Sequence, residues 1–331
     1  MLRLVLNKND GGQRLDKFLS KSVKGLPPAL MYKYIRKKRV KVNGKRAKEN
    51  QILCSGDIIE LYIPEEFTSA PKEGANLSAE FSRVRAVPKV VYEDDNIIVC
   101  DKAPGLLSHT GDNGENDASG ICERDTLVFL IKAYLWKNGE YDPENEASFA
   151  PALCNRIDRN TGGLVIAAKN AESLREMNSL IRCGGVKKQY LCAVHGRPQP
   201  REGRLIGWIE KNSKTKTVTV YKHEHKGAKQ AITYYKLLEF SEKTGLSLLE
   251  VTLGTGRTHQ IRAQMAASGW PLVGEGKYAS VSGSDKKLYG YSHQALYSYK
   301  ITFSVPDGPL KYLDKKVIQA DRASIGFLSL F

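Results

Sequence analysis

The sequence predicts an α+β protein: a large, largely antiparallel mixed sheet preceded by a small α/β unit. Three observations carry that expectation. Beyond Lys188 strand-like runs follow one another with a single helix among them, which argues against strict β–α alternation. The chain has 331 residues, 41% of them apolar, enough for two domains and a sizeable core. Its formal charge of +15 is unevenly spread: residues 1–63 hold 15 Lys and Arg against 5 Asp and Glu, a net +10.

In the small unit, Leu15, Phe18 and Leu19 share one helical face. A second helix is expected from Pro28, a residue suited to a first helical position, to about Lys37. Val40-Lys41-Val42 alternates into the Asn43-Gly44 turn signal, and Gly56 to Leu61 reads as the closing strand. Lys33, Arg36, Lys37, Lys38, Arg39, Lys41, Lys45 and Arg46 crowd the end of the second helix and the hairpin, with no acidic residue among them. Basic runs are more often plain solvated faces. Gathered on a helix end and a hairpin, however, they suit a phosphate backbone. The overall charge also points to a polyanion, either nucleic acid or an anionic membrane surface. Pro64 to Pro88 is irregular in composition, so the expected division is residues 1–63, a linker over 64–88, and a large domain over 89–331.

The large domain opens with a β-hairpin over Val90–Cys100, two apolar runs around an acidic turn. Asp101 to His109 breaks regular structure, and His109, a lone loop histidine, is given no role. A polar loop follows from Thr110 to Arg124. Asp125 then reads as the N-cap of a helix with Leu127, Leu130, Ile131, Tyr134 and Leu135 on its apolar face. The stretch from Asn155 to Lys169 places Asp158 between Arg156 and Arg159, followed by a turn and the buried strand Leu164–Ala168. Flanking cations lower an Asp pKa by roughly 1–3 units, so Asp158 is expected to stay ionised. Most such triplets are surface pairs worth about 0–1 kcal/mol, so this one gains weight only from its context.

A helix over Ala171–Arg182, capped by Asn170 and ended by Gly184, leads into the strand run. Strands are expected at Lys188–Val194, Thr215–Tyr221, Ala231–Phe240, Leu246–Leu253 and Lys300–Val305. The intervening helix runs from near Thr258 to Gly269. It is fed by the glycine turn at Gly254 and Gly256 and carries Arg257, His259 and Arg262. Such junctions offer backbone donors to anions. A pair with a structural acid would equally account for Arg257 and Arg262, and core packing for Tyr190.

The six cysteines never form a Cys-x-x-Cys pair, so neither a zinc site nor a disulfide framework is expected. Met1–Asp10 holds no apolar stretch of signal-peptide length, and no apolar run approaches the roughly 18 residues of a membrane span. The expectation is a cytoplasmic monomer without a membrane partner.

Arg156-Ile-Asp158-Arg159, Lys188-Gln-Tyr190 and Thr255-Gly-Arg-Thr-His-Gln-Ile-Arg262 resemble, in order, three core motifs of the RluA/RluC/RluD-type pseudouridine synthases. Lys102-Ala-Pro-Gly105 and Pro271-Leu-Val-Gly274 fit the same family. Arg14-Leu15-Asp16, Val40-x-Val-Asn-Gly44 and Gly56-Asp57-x-Ile resemble the S4 RNA-binding domain. The resemblance implies a pseudouridine-synthase fold, isomerisation of uridine to pseudouridine in RNA, and neither cofactor nor metal. It implies Asp158 as the essential carboxylate, Arg262 as its ion-pair partner and Tyr190 as the residue packing against the base and candidate proton acceptor. Arg156 would fill the space left by the flipped nucleotide. Large-subunit (23S) ribosomal RNA is the implied substrate; the alternatives are a transfer-RNA target or a non-catalytic RNA-binding or ribosome-assembly factor. Asn155, Ile157, Asn160, Gly162 and Gln264 depart from the family pattern, none at a position assigned chemistry.

Overall fold

The computed structural model describes residues 1–67, 73–110, 123–212 and 215–331, and two separate sheets organise them. The first comes from the basic N-terminal stretch. Strands β1 (Leu2–Val5), β2 (Val40–Val42), β3 (Lys45–Arg46) and β4 (Ile58–Leu61) align in the order β1-β4-β2-β3, with helices α1 (Leu15–Ser22) and α2 (Pro28–Arg36) packed on them. Leu15, Phe18 and Leu19 are all fully buried, as their shared helical face requires. Asn43 and Gly44 both take positive φ, 52° and 73°, the backbone that a two-residue hairpin turn needs.

The stretch read as a linker is partly packed. Helix α3 (Glu73–Arg83) buries Phe81 completely, its ring 5.1 Å from that of Phe129. One aromatic among Ser, Ala and Glu is a weak helical pattern, yet burying a phenyl ring contributes about 1.5–3 kcal/mol. Helix α4 (Leu127–Lys137) is capped by Thr126 and not by Asp125: the Thr126 hydroxyl accepts from the Phe129 amide. Thr126 is buried and Asp125 exposed, and a carboxylate enclosed at the cap would lose its hydration. The polar loop between Thr110 and Arg124 lies largely outside the described residues, as does Cys122. The five described cysteines are free.

The second sheet holds eleven strands. In chain order they are β5 (Val90–Glu93), β6 (Ile97–Lys102), β7 (Ala152–Leu153), β8 (Gly162–Ala168), β9 (Val186–His195), β10 (Glu202–Asn212), β11 (Thr217–Tyr221), β12 (Lys229–Ser241), β13 (Leu246–Leu253), β14 (Leu296–Phe303) and β15 (Val317–Gln319). The main path runs β11-β10-β12-β13-β9-β14-β8-β6-β5. All pairs are antiparallel except one: β14 runs parallel to β8 while antiparallel to β9. Gly163 permits that crossing. It has φ +111°, and a Cβ there would stand 2.2 Å from the Ser298 carbonyl oxygen. Helix α5 (Ala171–Arg182), capped by Asn170, packs on one face, and α3 and α4 fill the other. Helix α6 (Gln260–Ala267) contacts β10, β11 and β12. Helix α7 (Ser282–Tyr289) follows it.

A polar seam joins the two sheets' surroundings. Asn7 and Asn9 donate side-chain amides to Glu146 at 3.0 and 2.6 Å, and Ser148 donates to Asp10 at 2.6 Å. Asn9 also accepts from the Ala171 amide at 3.1 Å, at the first turn of α5. Among the described residues, no helix is long and apolar enough to cross a membrane.

Candidate active site

Asp158 lies on the loop between β7 and β8, and the loop after β6 clamps it from both sides. Ser108 Oγ donates to the Ile157 carbonyl at 2.9 Å and accepts from the Ile157 amide at 3.3 Å. Beyond the carboxylate, Lys102 Nζ donates to the carbonyls of Ala103, Leu106 and Arg159 at 2.9, 2.8 and 2.9 Å. An ammonium has three protons, and here each has an acceptor. Gly105 and Arg159 add a reciprocal pair: the Gly105 amide to the Arg159 carbonyl at 2.9 Å, and Arg159 Nε to the Gly105 carbonyl at 3.0 Å. Burial pushes Lys102 down to about 8, against the opposing pull of Asp158 and Asp101. The Lys102-Ala-Pro-Gly105 motif therefore holds the loop carrying Asp158 in one conformation.

The flanking arginines do not pair with Asp158, contrary to the simplest reading of the triplet. Arg159 is turned to Gly105, and Arg156 Nη1 donates to His109 Nε2 at 2.9 Å. Neighbours in sequence on an extended loop point apart, so neither reaches the carboxylate. Its partner comes from α6: Arg262 Nη1 lies 3.2 Å from Asp158 Oδ2. Arg262 in turn is gripped by the fully buried Glu275, Nε to Oε2 at 2.7 Å and Nη2 to Oε1 at 2.8 Å. Burial works against the guanidinium, but Glu275 and then Asp158 more than offset it, so its pKa lies above arginine's ordinary value. For Glu275 burial raises the pKa, and the bonds from Arg262 overcome that to hold the carboxylate below its usual range.

Buried amides fix α6 against the sheet. Gln260 donates to the Ile232 carbonyl at 3.0 Å and accepts from Thr255 Oγ1 at 2.8 Å and the Arg257 amide at 3.0 Å. Gln264 accepts from Thr233 Oγ1 at 2.7 Å. His259, which precedes the helix, takes φ +51°. Its Nδ1 meets Tyr278 Oη at 2.5 Å and its Nε2 stands 3.9 Å from Asp158 Oδ2. Burial lowers the His259 pKa below its ordinary value, so the ring is neutral at pH 7 and adds no charge there. Arg257 pairs with no described acid; its Nε donates to the Gln230 carbonyl at 3.0 Å.

Tyr190 sits on β9 beside Ser298 of β14. It is almost wholly buried, and burial pushes its phenol up to about 12, with Ser298 lowering it and Asp158 adding to the rise. Asp158, Tyr190 and Arg262 thus converge, while Arg156 is exposed beside them. The N-terminal set lies apart from this centre. Lys33, Arg36, Lys37, Lys38, Arg39, Lys45 and Arg46 are exposed and Lys41 half-buried, and none forms an ion pair among the described residues. Sequence reasoning missed Glu275, Tyr278 and Ser108. Glu275 directly follows the noted Pro271–Gly274 motif, which was the signal available. Among the described residues, no group of three or more His, Cys, Asp and Glu is placed to hold a metal ion.

Residues 96–267 match the family model described as RNA pseudouridylate synthase, and residues 13–59 match the S4 domain model. An uncharacterized RNA pseudouridine synthase of Mycoplasma capricolum is 30% identical over 322 residues, covering 96% of this chain and 97% of its own. The ribosomal large subunit pseudouridine synthase C of Haemophilus influenzae is 29% identical over 306 residues, 92% of this chain and 87% of that one. The protein of the same name from Salmonella typhi is 31% identical over 276 residues, 83% of this chain and 79% of that one. In fold, the chain is similar to human RNA pseudouridylate synthase domain containing 4, with TM-score 0.53 and 19% identity over 78% of this chain and 96% of that one.

Proposed function

The chain belongs to the RNA pseudouridylate synthase family, and from that premise we propose that it converts uridines of large-subunit ribosomal RNA to pseudouridine, with Asp158 as the essential carboxylate. The observation that carries the site assignment is the single guanidinium nitrogen of Arg262 set against Asp158 Oδ2 at 3.2 Å, on a loop clamped by Ser108 and Lys102. The substrate assignment draws on relatives that bear the name ribosomal large subunit pseudouridine synthase C.

The target uridine leaves its stack to reach the half-buried carboxylate, at a cost of a few kcal/mol for unstacking. Arg156, exposed at the rim, takes the vacated place. Asp158 acts at the ribose as the N1–C1′ bond breaks, either attacking C1′ or removing the neighbouring C2′ proton. The freed uracil rotates between Tyr190 and the loop, and C5 bonds to C1′ as the Asp158–C1′ bond breaks or, on the other route, as Asp158 returns the proton to C2′. The C5 proton then leaves while N1 gains one, so the product is an isomer. At neutral pH the phenol of Tyr190 is protonated, because burial holds its pKa near 12. It therefore takes the C5 proton only while passing its own to a neighbour, and Asp158 is the nearby base.

Residues 1–63 form the proposed RNA-binding domain, whose exposed basic residues from Lys33 to Arg46 contact phosphates without reading sequence. The reading places the enzyme in the cytoplasm, where ribosomal RNA is.

The test is to map pseudouridines in ribosomal and transfer RNA from cells lacking the gene, then restore wild type or Asp158→Asn. Loss at specific large-subunit sites, regained only with wild type, is the expected result. Loss confined to transfer RNA would redirect the substrate assignment, and full activity of Asp158→Asn would end the mechanism.

A further inference from the structure

We propose that Glu275 is a positioning residue for the isomerisation: it holds Arg262 so that one chosen nitrogen, Nη1, faces Asp158. This rests on the assignment of Asp158 above. Glu275 occupies two of the three guanidinium nitrogens side-on, Nε at 2.7 Å and Nη2 at 2.8 Å, and leaves Nη1 for Asp158 at the longer 3.2 Å. The tighter side of the fork belongs to the residue that never meets substrate. Arg262 therefore stays in place when the ribose reaches Asp158, and its charge is shared between two carboxylates. Asp158 is oriented without being fully neutralised.

The grip is fixed down to the backbone. Glu275 Oε1 also accepts from the amides of Lys277 at 2.7 Å and Tyr278 at 3.2 Å. The preceding residue, Gly274, donates its amide to Asp285 Oδ2 at 2.6 Å, and a Cβ on it would stand 2.2 Å from the His293 carbonyl oxygen. Asp285 Oδ2 lies 3.0 Å from His195 Nε2 on β9, the strand that also carries Tyr190. The Tyr278 ring closes the guanidinium's open face, its centroid 5.5 Å from Arg262 Cζ. A bidentate fork on a locked turn allows the guanidinium one orientation, where a lone Asp–Arg pair would allow several. The competing account is that Glu275 merely staples α6 to the 274–278 turn.

Glu275→Gln separates the two, because a neutral amide has only one oxygen to offer the fork. On a ribosomal RNA transcript that wild type modifies, its single-turnover rate should fall roughly 10–100-fold, the scale of a small misplacement at a reacting centre. RNA affinity should stay within about twofold of wild type, which a general loosening of the fold would not allow. In an Arg262→Lys background, where no fork exists, adding Glu275→Gln should cost less than about threefold. Two losses that simply multiply would overturn the positioning role, as would a wild-type rate for Glu275→Gln. If Glu275→Gln does not fold, Glu275→Asp decides: it keeps the charge but is one methylene short of both nitrogens and the turn amides. A reduced rate supports the role and an unchanged rate refutes it. A wild-type protein inactive on every ribosomal transcript would sink the substrate assignment instead, which keeps the two failures distinct.

Discussion

Lys102→Met removes the buried ammonium that ties Ala103, Leu106 and Arg159 together beneath the Asp158 loop. Two opposing effects set the stability change. Charging Lys102 in place is unfavourable, since its pKa falls from 10.5 to about 8, and that gap is worth roughly 3 kcal/mol. Against that relief, three carbonyls lose their donor at about 1–2 kcal/mol each. The net loss is then at most ~3 kcal/mol, and the protein should fold. The rate should suffer far more, on the order of a hundredfold, because the loop can drift by an ångström. The wild-type enzyme carries its own control in pH. Below about 8 Lys102 is protonated in the folded protein; between about 8 and 10.5 the unfolded chain binds the extra proton. Stability from this group therefore rises with pH across that window, while the rate should decline through about 8 as the cage loses its charge. Single-turnover rates at pH 7 to 9.5, beside urea unfolding at the same pH values, read both signs. A rate flat across that range, or Lys102→Met matching wild type, would refute the reasoning.

Replacing Lys33, Arg36 and Lys37 by Gln should weaken RNA binding and reduce the log–log salt slope by roughly 2–3, measured by filter binding at several salt concentrations. An unchanged slope would move the electrostatic contact elsewhere. Phe81→Ala should destabilise the protein by about 3–5 kcal/mol in urea unfolding, because the ring is fully buried against Phe129. A cost under about 1 kcal/mol would mean that α3 packs no core. Gly163→Ala should cost more than about 3 kcal/mol in the same assay, combining an unfavourable positive φ with a backbone clash that no rotamer relieves.

Periodic elements were legible in the sequence, and contacts between distant elements were not. The face shared by Leu15, Phe18 and Leu19, the Asn43-Gly44 turn and the Asn170 cap follow from local rules and stand as expected. Several elements escaped that reading, the short strands β7 and β15 among them. Strand β1 is four residues long, β10 opens Glu-Gly-Arg and carries a second glycine at Gly207, α7 begins Ser-Gly-Ser-Asp, and α3 has one fully buried residue, Phe81, with Leu77 packed beside it. In the candidate site, the pairing of Arg262 with Asp158 was anticipated through the motifs, but the contacts that the flanking arginines make with His109 and Gly105 were not. A loop backbone decides where successive side chains point, and that depends on the Lys102 cage, 56 residues upstream of Asp158. Glu275 was equally hidden. A buried acid is recognised only when its cation is seen to face it.

The place of β14 has a consequence for assembly of the site. Asp158 hangs from β8 and Tyr190 sits on β9, and the strand between them, Leu296–Phe303, follows both by more than a hundred residues. A chain lacking Leu296–Phe303 holds Asp158, Tyr190 and Arg262 but not the strand that joins β8 to β9. Joining those two strands demands pairing across more than a hundred residues, from Ser298 back to Gly163 and Tyr190, the kind of distant contact that forms late. The geometry of the candidate site therefore depends on β14 docking between β8 and β9.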